Sequence, residues 1–164
     1  MDKASAIKKE KAIFAMGCFW QPDVLFSNLA GVVSATVGYT GGHTKNPSYE
    51  QVCSHATGHA EAVEIVFDAE QISYDELLGV FWENHDPTQL NRQGPDVGDQ
   101  YRSAIFYHSA DQREKARASK EALGRSGKYA KPIATEIMPA GIFYPAEEYH
   151  QKYLQKRGLA TCHS

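Results

Sequence analysis

A short apolar run stops abruptly at Gly17-Cys18-Phe19-Trp20, and this junction constrains the fold more than any other part of the chain. The run itself, residues 11–16, predicts a strand. Pro22 and Asp23 suit the first turn of a helix, where proline loses no hydrogen bond and a carboxylate meets the positive end of the dipole. We therefore expect a strand that delivers a cysteine to a turn at the start of a helix.

Cys18 is the best candidate for chemistry at this junction. Unpaired backbone N–H groups at the start of a helix stabilise a thiolate, so they lower the pKa of a thiol held there. Phe19 and Trp20 predict a shallow apolar pocket for a small neutral or thioether-like ligand. In the competing interpretation Cys18 is a packing residue and both aromatic residues belong to the core, because cysteine is among the most buried residue types.

The composition limits the classes of function open to the chain. Its 164 residues, 42% of them hydrophobic, suffice for one globular domain. The net charge of −3 leaves no basic excess to neutralise phosphates, which argues against a nucleic-acid partner. No apolar stretch approaches the length that spans a bilayer, and residues 1–11 lack the apolar core of a secretion signal. The cytoplasm is therefore the expected location.

Strand and helix patterns alternate along the chain. Glycine- and proline-bearing loops are predicted at residues 39–48 and 88–99, and residues 53–58 are predicted to be irregular. Strands are predicted at residues 11–16, 31–38, 61–67, 101–107 and 133–138, and helices at residues 22–29, from residue 73 onward, at 109–127 and at 145–156.

These elements predict an α+β fold. We expect a two-layer sandwich with a mixed, largely antiparallel sheet and flanking helices, a ferredoxin-like variant with an irregular C-terminal tail. We do not expect a doubly wound dinucleotide-binding sheet, because no strand feeds a GxGxxG turn. Residues 1–164 are expected to form a single catalytic domain, with an N-terminal extension at residues 1–10 and a mobile tail at residues 157–164.

One acidic residue lies on the apolar side of a predicted strand. Glu61 alternates in register with Val63, Ile65 and Phe67, which points its carboxyl group toward the core. Burial raises the pKa of a carboxyl group, so Glu61 could stay protonated and donate a proton. The alternative is that Glu61 lies at the wet end of the strand and pairs with a lysine or arginine.

Two tyrosines and an aspartate in neighbouring segments could complete a site. The hydroxyl groups of Tyr49 and Tyr101 can hold an oxygen atom by hydrogen bonds, while their rings add to an apolar wall. With nine tyrosines in the chain, either one could instead be a core residue. Asp96 most simply serves a turn.

The three cysteines, an odd number without CxxC spacing, favour a reducing compartment over a disulfide scaffold. Cys53, His55 and His59 have the spacing Cys-x-His-x₃-His, and Cys162 could supply a fourth ligand for zinc. A metal- or thiol-binding module built on these four residues is one alternative function. Another is a thiol hydrolase in which a histidine activates Cys18, although the sequence ties none of the seven histidines to it.

Five segments, in this order, resemble the methionine sulfoxide reductase A family over residues 11–155. They are Gly17-Cys-Phe-Trp20, Val37-Gly-Tyr-Thr-Gly-Gly42, Gly58-His-Ala-Glu-Ala-Val63, Phe81-Trp-Glu-Asn-His-Asp-Pro87 and Gln100-Tyr-Arg-Ser-Ala104. Two departures concern the rim of the pocket and the tail. The family motif usually continues with Gly and then Glu, where Gln21-Pro22-Asp23 stand here, and its tail often carries Gly-Tyr-Cys, where this chain has Leu159-Ala-Thr-Cys162.

The resemblance implies repair of oxidative damage by reducing the S-epimer of methionine sulfoxide, free or in oxidised proteins, to methionine. Cys18 then matches the nucleophile and Glu61 the proton donor. Phe19 and Trp20 match the pocket for the methyl group of the substrate. We expect no metal and no cofactor, and we expect a monomer.

The resemblance also assigns the remaining candidates. Tyr49 and Tyr101 match the residues that hold the sulfoxide oxygen, and Asp96 matches a supporting carboxylate. The attack leaves a cysteine sulfenic acid, a second thiol condenses with it, and thioredoxin reduces the resulting disulfide. We predict that Cys162 is this resolving thiol because a mobile tail can swing to the site; Cys53 is the alternative.

Overall fold

The computed structural model describes residues 8–158. Their strands are Lys9–Met16 (β1), Val32–Thr40 (β2), Ala60–Asp68 (β3), Arg92–Gln93 (β4), Asp96–Val97 (β5), Ser103–Tyr107 (β6), Glu136–Pro139 (β7) and Tyr144–Pro145 (β8). Their α-helices are Trp20–Ser27 (α1), Tyr49–Cys53 (α2), Tyr74–Glu83 (α3), Ala110–Arg125 (α4) and Tyr153–Lys156 (α5). Short 3-10 turns cover Asp99–Tyr101 and Glu148–His150.

Six of the strands form one sheet in the order β7-β6-β1-β3-β2-β8. The pairs are antiparallel except β6 with β7, which is parallel. With α1 between β1 and β2 and α3 between β3 and β6, the four central strands have the β-α-β-β-α-β connectivity of a ferredoxin-like fold. The predicted α+β class with a mixed, largely antiparallel sheet is therefore confirmed.

The larger core lies between one face of the sheet and helices α1 and α3. Phe14 of β1 stacks on Phe26 of α1 and Phe81 of α3, with ring centroids 5.5 and 5.1 Å apart. Removing such a buried ring typically costs about 3–5 kcal/mol, so these contacts fix both helices on the sheet. A smaller cluster that includes Ile13 and Phe106 covers the opposite face. None of the helices in residues 8–158 is both long and apolar enough to cross a bilayer.

The prediction of one helix over residues 145–156 is wrong. The segment instead forms β8, a 3-10 turn and the short α5, and Lys152 interrupts it with a left-handed φ of 55°. This conformation lets the backbone N–H and Nζ of Lys152 both donate to the carboxylate of Asp23, each at 2.7 Å. Asp23 is fully buried, so this long-range ion pair outweighs local helix propensity.

The predicted loops are also more ordered than expected. Strand β2 runs on to Thr40, and α2 occupies Tyr49–Cys53, where Ser48 and Gln51 form a capping box. The loop predicted at residues 88–99 contains the β4–β5 hairpin. These additions bring two candidate residues, Tyr49 and Asp96, onto regular elements.

Candidate active site

Cys18 lies in the turn between β1 and α1, as predicted. The preceding residue, Gly17, has a φ of 99°, a conformation that glycine adopts without a steric penalty. Phe19 is the N-cap residue of α1, and the backbone N–H of Gln21 donates to the carbonyl of Cys18 at 3.3 Å. Cys18 is half-buried and is not in a disulfide. The thiol is thus presented at the start of a helix.

Strand β3 places Glu61 directly behind this turn. Its side chain is 1% exposed, and its Oε1 accepts the backbone N–H of Phe19 at 3.2 Å. The prediction that Glu61 points into the apolar side is therefore confirmed, and the alternative of a wet strand end is wrong. The hydrogen bond joins the buried carboxyl group to the residue that follows Cys18.

Tyr49 opens α2 and is fixed from two sides. Its backbone N–H donates to Oε2 of Glu147 at 2.9 Å. Burial, a side-chain hydrogen bond with Cys53 and the charge of Glu61 raise the pKa of Tyr49 well above its usual value. Its hydroxyl group therefore stays protonated and can donate a hydrogen bond at neutral pH.

The pKa of Tyr101 is affected by several of the other candidate residues. Burial is the largest cause of the raised pKa of its hydroxyl group. The pKa is raised further by neighbouring charges, those of Glu61, Cys53, Cys18 and Asp96. Tyr101 is therefore within electrostatic range of all four residues. Glu61 contacts the residue after Cys18, Asp96 shares a cavity with Cys18, and both tyrosines lie within electrostatic range of Glu61.

The two aromatic residues after Cys18 have different environments. Trp20 is half-buried, donates from Nε1 to Nδ1 of His150 at 3.1 Å, and stacks on Tyr153 with centroids 3.7 Å apart. Phe19 is fully buried and packs against His150 and Tyr39, with centroids 5.2 and 5.7 Å away. Phe19 is therefore a core residue behind the site, whereas Trp20 forms a partly open wall.

A cavity of about 190 Å³ opens beside Cys18. The lining residues come from the end of β1, the Cys18 turn, α1 and the segment after α3: Met16, Cys18, Gln21, Asn84, His85, Gln93, Gly94, Pro95 and Asp96. This is a small cleft, sized for a side chain, next to the thiol.

His85 is a residue of this cleft that sequence reasoning missed. Its Nδ1 lies 2.7 Å from the carbonyl of Phe81 and its Nε2 lies 2.8 Å from Oγ of Ser103. Burial lowers the pKa of His85 to about 4. Both ring nitrogens are engaged and the ring is neutral, so His85 is not placed to take a proton from Cys18 as the thiol-hydrolase alternative requires.

Comparison with known proteins then gives the family. A family model described as peptide methionine sulfoxide reductase matches residues 10–164. The chain belongs to the peptide methionine sulfoxide reductase family. A similar member is the peptide methionine sulfoxide reductase MsrA of Geobacter sulfurreducens, 60% identical over 153 residues that cover 93% of this chain and 94% of the relative.

Two solved structures agree with this membership. Methionine sulfoxide reductase A of Corynebacterium diphtheriae has 40% identity and a TM-score of 0.83, covering 94% of this chain and 77% of that chain. Mxr1 from Saccharomyces cerevisiae in complex with Trx2 has 28% identity and a TM-score of 0.61, covering 93% of this chain and 87% of that chain. Both extend over almost the whole of the chain.

In this reductase the predicted metal-ligand set does not converge. His59 uses both ring nitrogens on the backbone of residues 42–44, and His55 pairs with Asp99 at 3.4 Å. Across residues 8–158, no three His, Cys, Asp or Glu side chains are grouped so that they could hold a metal ion. Cys162, the fourth ligand of that hypothesis, lies outside the described residues.

The structure places the candidate site residues predicted from the family resemblance in the region of the Cys18 turn. Cys162 lies outside the residues that the structure describes. Sequence reasoning missed four further residues that hold or line the site: His85, Gln93, Glu147 and His150. His85 lies in the segment Phe81–Pro87 that resembles the family, and this motif could have revealed it. The other three residues reach the site through tertiary packing, which no local pattern of the sequence signals.

Proposed function

We propose that the chain reduces the S-epimer of methionine sulfoxide, free or in oxidised proteins, with Cys18 as the nucleophile. The observation that carries this proposal is the hydrogen bond of 3.2 Å between the Phe19 N–H and Glu61, which brings a buried carboxyl group to the turn that holds the thiol. In this proposal residues 1–164 form a single catalytic domain.

The chemistry asks for an acid near the thiol. Sulfoxide sulfur is a poor electrophile until its oxygen is protonated or strongly hydrogen-bonded. Burial disfavours the charged form of a carboxyl group, so Glu61 is suited to deliver a proton to that oxygen. A positioned acid contributes about 10²–10⁴-fold to the rate. The protonated hydroxyl groups of Tyr49 and Tyr101 hold the oxygen, and Asp96 supports the binding.

The thiolate of Cys18 then attacks the sulfoxide sulfur. The attack joins the cysteine sulfur to the methionine sulfur. This new bond and the original sulfur–oxygen bond then both break as the protonated oxygen becomes bonded to the cysteine sulfur. Methionine leaves and Cys18 is left as a sulfenic acid, so the sulfoxide is reduced by two electrons and the thiol is oxidised by two. Trp20, backed by the ring of Phe19, provides the apolar wall for the methyl group of the substrate. Trp20 makes the direct contact because Phe19 is fully buried.

Cys162 is the proposed resolving thiol, which condenses with the sulfenic acid, forms a disulfide and releases water. Its rival, Cys53, has a pKa raised by burial and by the charge of Glu61, and a protonated thiol attacks poorly. Tyr153 stacks on Trp20, so the chain passes close to the nucleophile shortly before Cys162. Cys162 follows Gly158 by four residues, so the chain between them can reach at most ~14 Å. The proposal therefore requires Gly158 to lie within about this distance of the Cys18 turn.

Thioredoxin is the proposed electron donor, and it reduces the disulfide by thiol exchange. A similar protein, Mxr1, has been solved in complex with Trx2, which supports this partner. Thioredoxin keeps thiols reduced in the cytosol, so we propose that the protein acts in the cytoplasm.

The test is an assay of each pure sulfoxide epimer with dithiothreitol as the reductant. The S-epimer should be reduced and the R-epimer should not. Cys18→Ser should abolish the reaction because serine cannot form a sulfenic acid, whereas the matched control Cys53→Ser should keep it. Turnover by Cys18→Ser, or equal rates with both epimers, would contradict the proposal.

A further inference from the structure

We infer that Gln93 is a positioning residue that sets the separation between the Cys18 turn and the hairpin carrying Asp96. This role rests on the proposed function, since it concerns the same reaction. Gln93 lies in β4 and lines the cleft beside Cys18. Three sets of contacts, with Asp86, with Gly17 and across the hairpin, carry the inference.

The amide of Gln93 clamps the backbone of Asp86. Its Oε1 accepts the Asp86 N–H at 2.8 Å, and its Nε2 donates to the Asp86 carbonyl at 2.8 Å. Two hydrogen bonds to the same residue fix both the position and the orientation of the amide. Asp86 follows the end of α3, so the clamp anchors the hairpin to the main body of the fold.

The aliphatic stem of Gln93 packs on the residue before the nucleophile. A Cβ atom placed on Gly17 would lie 2.8 Å from Cγ and 2.9 Å from Cβ of Gln93. Carbon atoms attract best at about 3.5–4.0 Å, so only glycine leaves room for this stem. The turn that holds Cys18 therefore rests directly on Gln93.

The hairpin continues the connection to Asp96. Gln93 of β4 is the register partner of Asp96 in β5. The two ends of the cleft, the Cys18 turn and Asp96, are thus joined through one residue, whose side chain is clamped to Asp86. We therefore expect that moving or shortening that side chain changes the distance between the Cys18 thiol and Asp96.

Two substitutions separate the clamp from the stem. Gln93→Met keeps an unbranched stem against Gly17 but loses both hydrogen bonds to Asp86. Gln93→Ala loses the two hydrogen bonds and also the part of the stem beyond Cβ. The matched control is Gln89→Ala, because Gln89 Oε1 accepts the N–H of Gly94 at 2.7 Å and closes the same loop without the contact to Gly17. Circular dichroism should show that all three variants are folded.

The readouts are kcat and KM for the S-epimer with dithiothreitol, and the rate at which iodoacetamide alkylates Cys18. The chain has three cysteines, so alkylation is measured with Cys53→Ser and Cys162→Ser present in every variant. For Gln93→Ala we expect kcat to fall at least tenfold with KM within threefold, and the alkylation rate at pH 7 to change at least fivefold. Gln93→Met should be intermediate, and Gln89→Ala should stay within twofold of the parent.

The inference is overturned if Gln89→Ala reproduces the effect of Gln93→Ala, because loop closure alone would then explain it. It is also overturned if Gln93→Ala alkylates within twofold of the parent, or if Gln93→Met and Gln93→Ala are equal. Alkylation needs no substrate, so it tests Gln93 even if the parent protein fails to reduce either epimer.

Discussion

The indole N–H of Trp20 donates to Nδ1 of His150, which lies 130 positions later in the chain, at 3.1 Å. An accepting Nδ1 requires a neutral imidazole with its proton on Nε2, and burial lowers the pKa of His150, which favours that state. Tyr153 stacks on the indole with a tilt of 8° between the rings. The wall of the proposed methyl pocket is therefore held by the C-terminal segment.

His150→Phe should weaken substrate binding because it keeps an aromatic ring but removes the acceptor for Trp20. Losing one hydrogen bond of about 1 kcal/mol predicts a KM about fivefold higher, with kcat within twofold. The chain has two tryptophans, so Trp82→Phe leaves Trp20 as the fluorescent reporter, and its emission should shift. Substitution of the exposed His108 by Phe is the control. Unchanged KM and emission in His150→Phe would show that the bond does not shape the pocket.

Glu61→Gln should lower kcat by about 10²–10⁴-fold, because glutamine can accept the Phe19 N–H but cannot release a proton. The pH profile of kcat should also lose the limb that reports a titrating acid. Tyr49→Phe and Tyr101→Phe should each cost less, since one hydroxyl group can partly cover for the other. If Glu61→Gln keeps the rate and the profile of the parent, Glu61 is structural.

Cys162→Ser should release one methionine per enzyme and then stop turning over with thioredoxin. Dithiothreitol is small enough to reach the sulfenic acid, so it should restore part of that turnover. Cys53→Ser should cycle with thioredoxin at close to the parental rate. The reverse pattern, a stalled Cys53→Ser and an active Cys162→Ser, would transfer the resolving role to Cys53.

The stability of the protein should fall between pH 6.5 and pH 4 because of His85. Its pKa in the folded protein is about 4, below the ordinary value of 6.5, so the unfolded chain binds more protons in this window. The stabilisation is complete above pH 6.5, and about 2 kcal/mol of it is lost by pH 5. Urea unfolding at pH 7.5 and pH 5 should show a smaller pH difference for His85→Gln than for the parent. Equal differences would mean that His85 titrates normally.

Local patterns predicted those parts of the site that local geometry creates. The apolar run before Gly17 and the proline after Trp20 placed Cys18 at the start of a helix. Alternation along β3 placed Glu61 on the buried face, because successive side chains of a strand point to opposite sides. Ser48 and Gln51 also had the spacing of a capping box and could have revealed α2, but the glycine-rich surroundings favoured a loop.

Periodic patterns in the sequence could not predict the contacts between distant segments. The helix predicted at residues 145–156 had suitable residues, yet Lys152 turns out of it to bind Asp23, 129 positions away. His85 and His150 reach the site only because the sheet brings α3 and the C-terminal segment to it. Their partners are a serine on β6 and a tryptophan on α1, and neither pairing leaves a trace in the local sequence.

The ion pair between Asp23 and Lys152 also bears on how a newly made chain matures. The carboxylate of Asp23 on α1 is fully buried, but its counter-ion, Lys152, is synthesised 129 positions later. Burying that carboxylate without the lysine would be strongly destabilising. Helix α1, with the Cys18 turn before it, therefore reaches its final packing only after residue 152 has emerged from the ribosome.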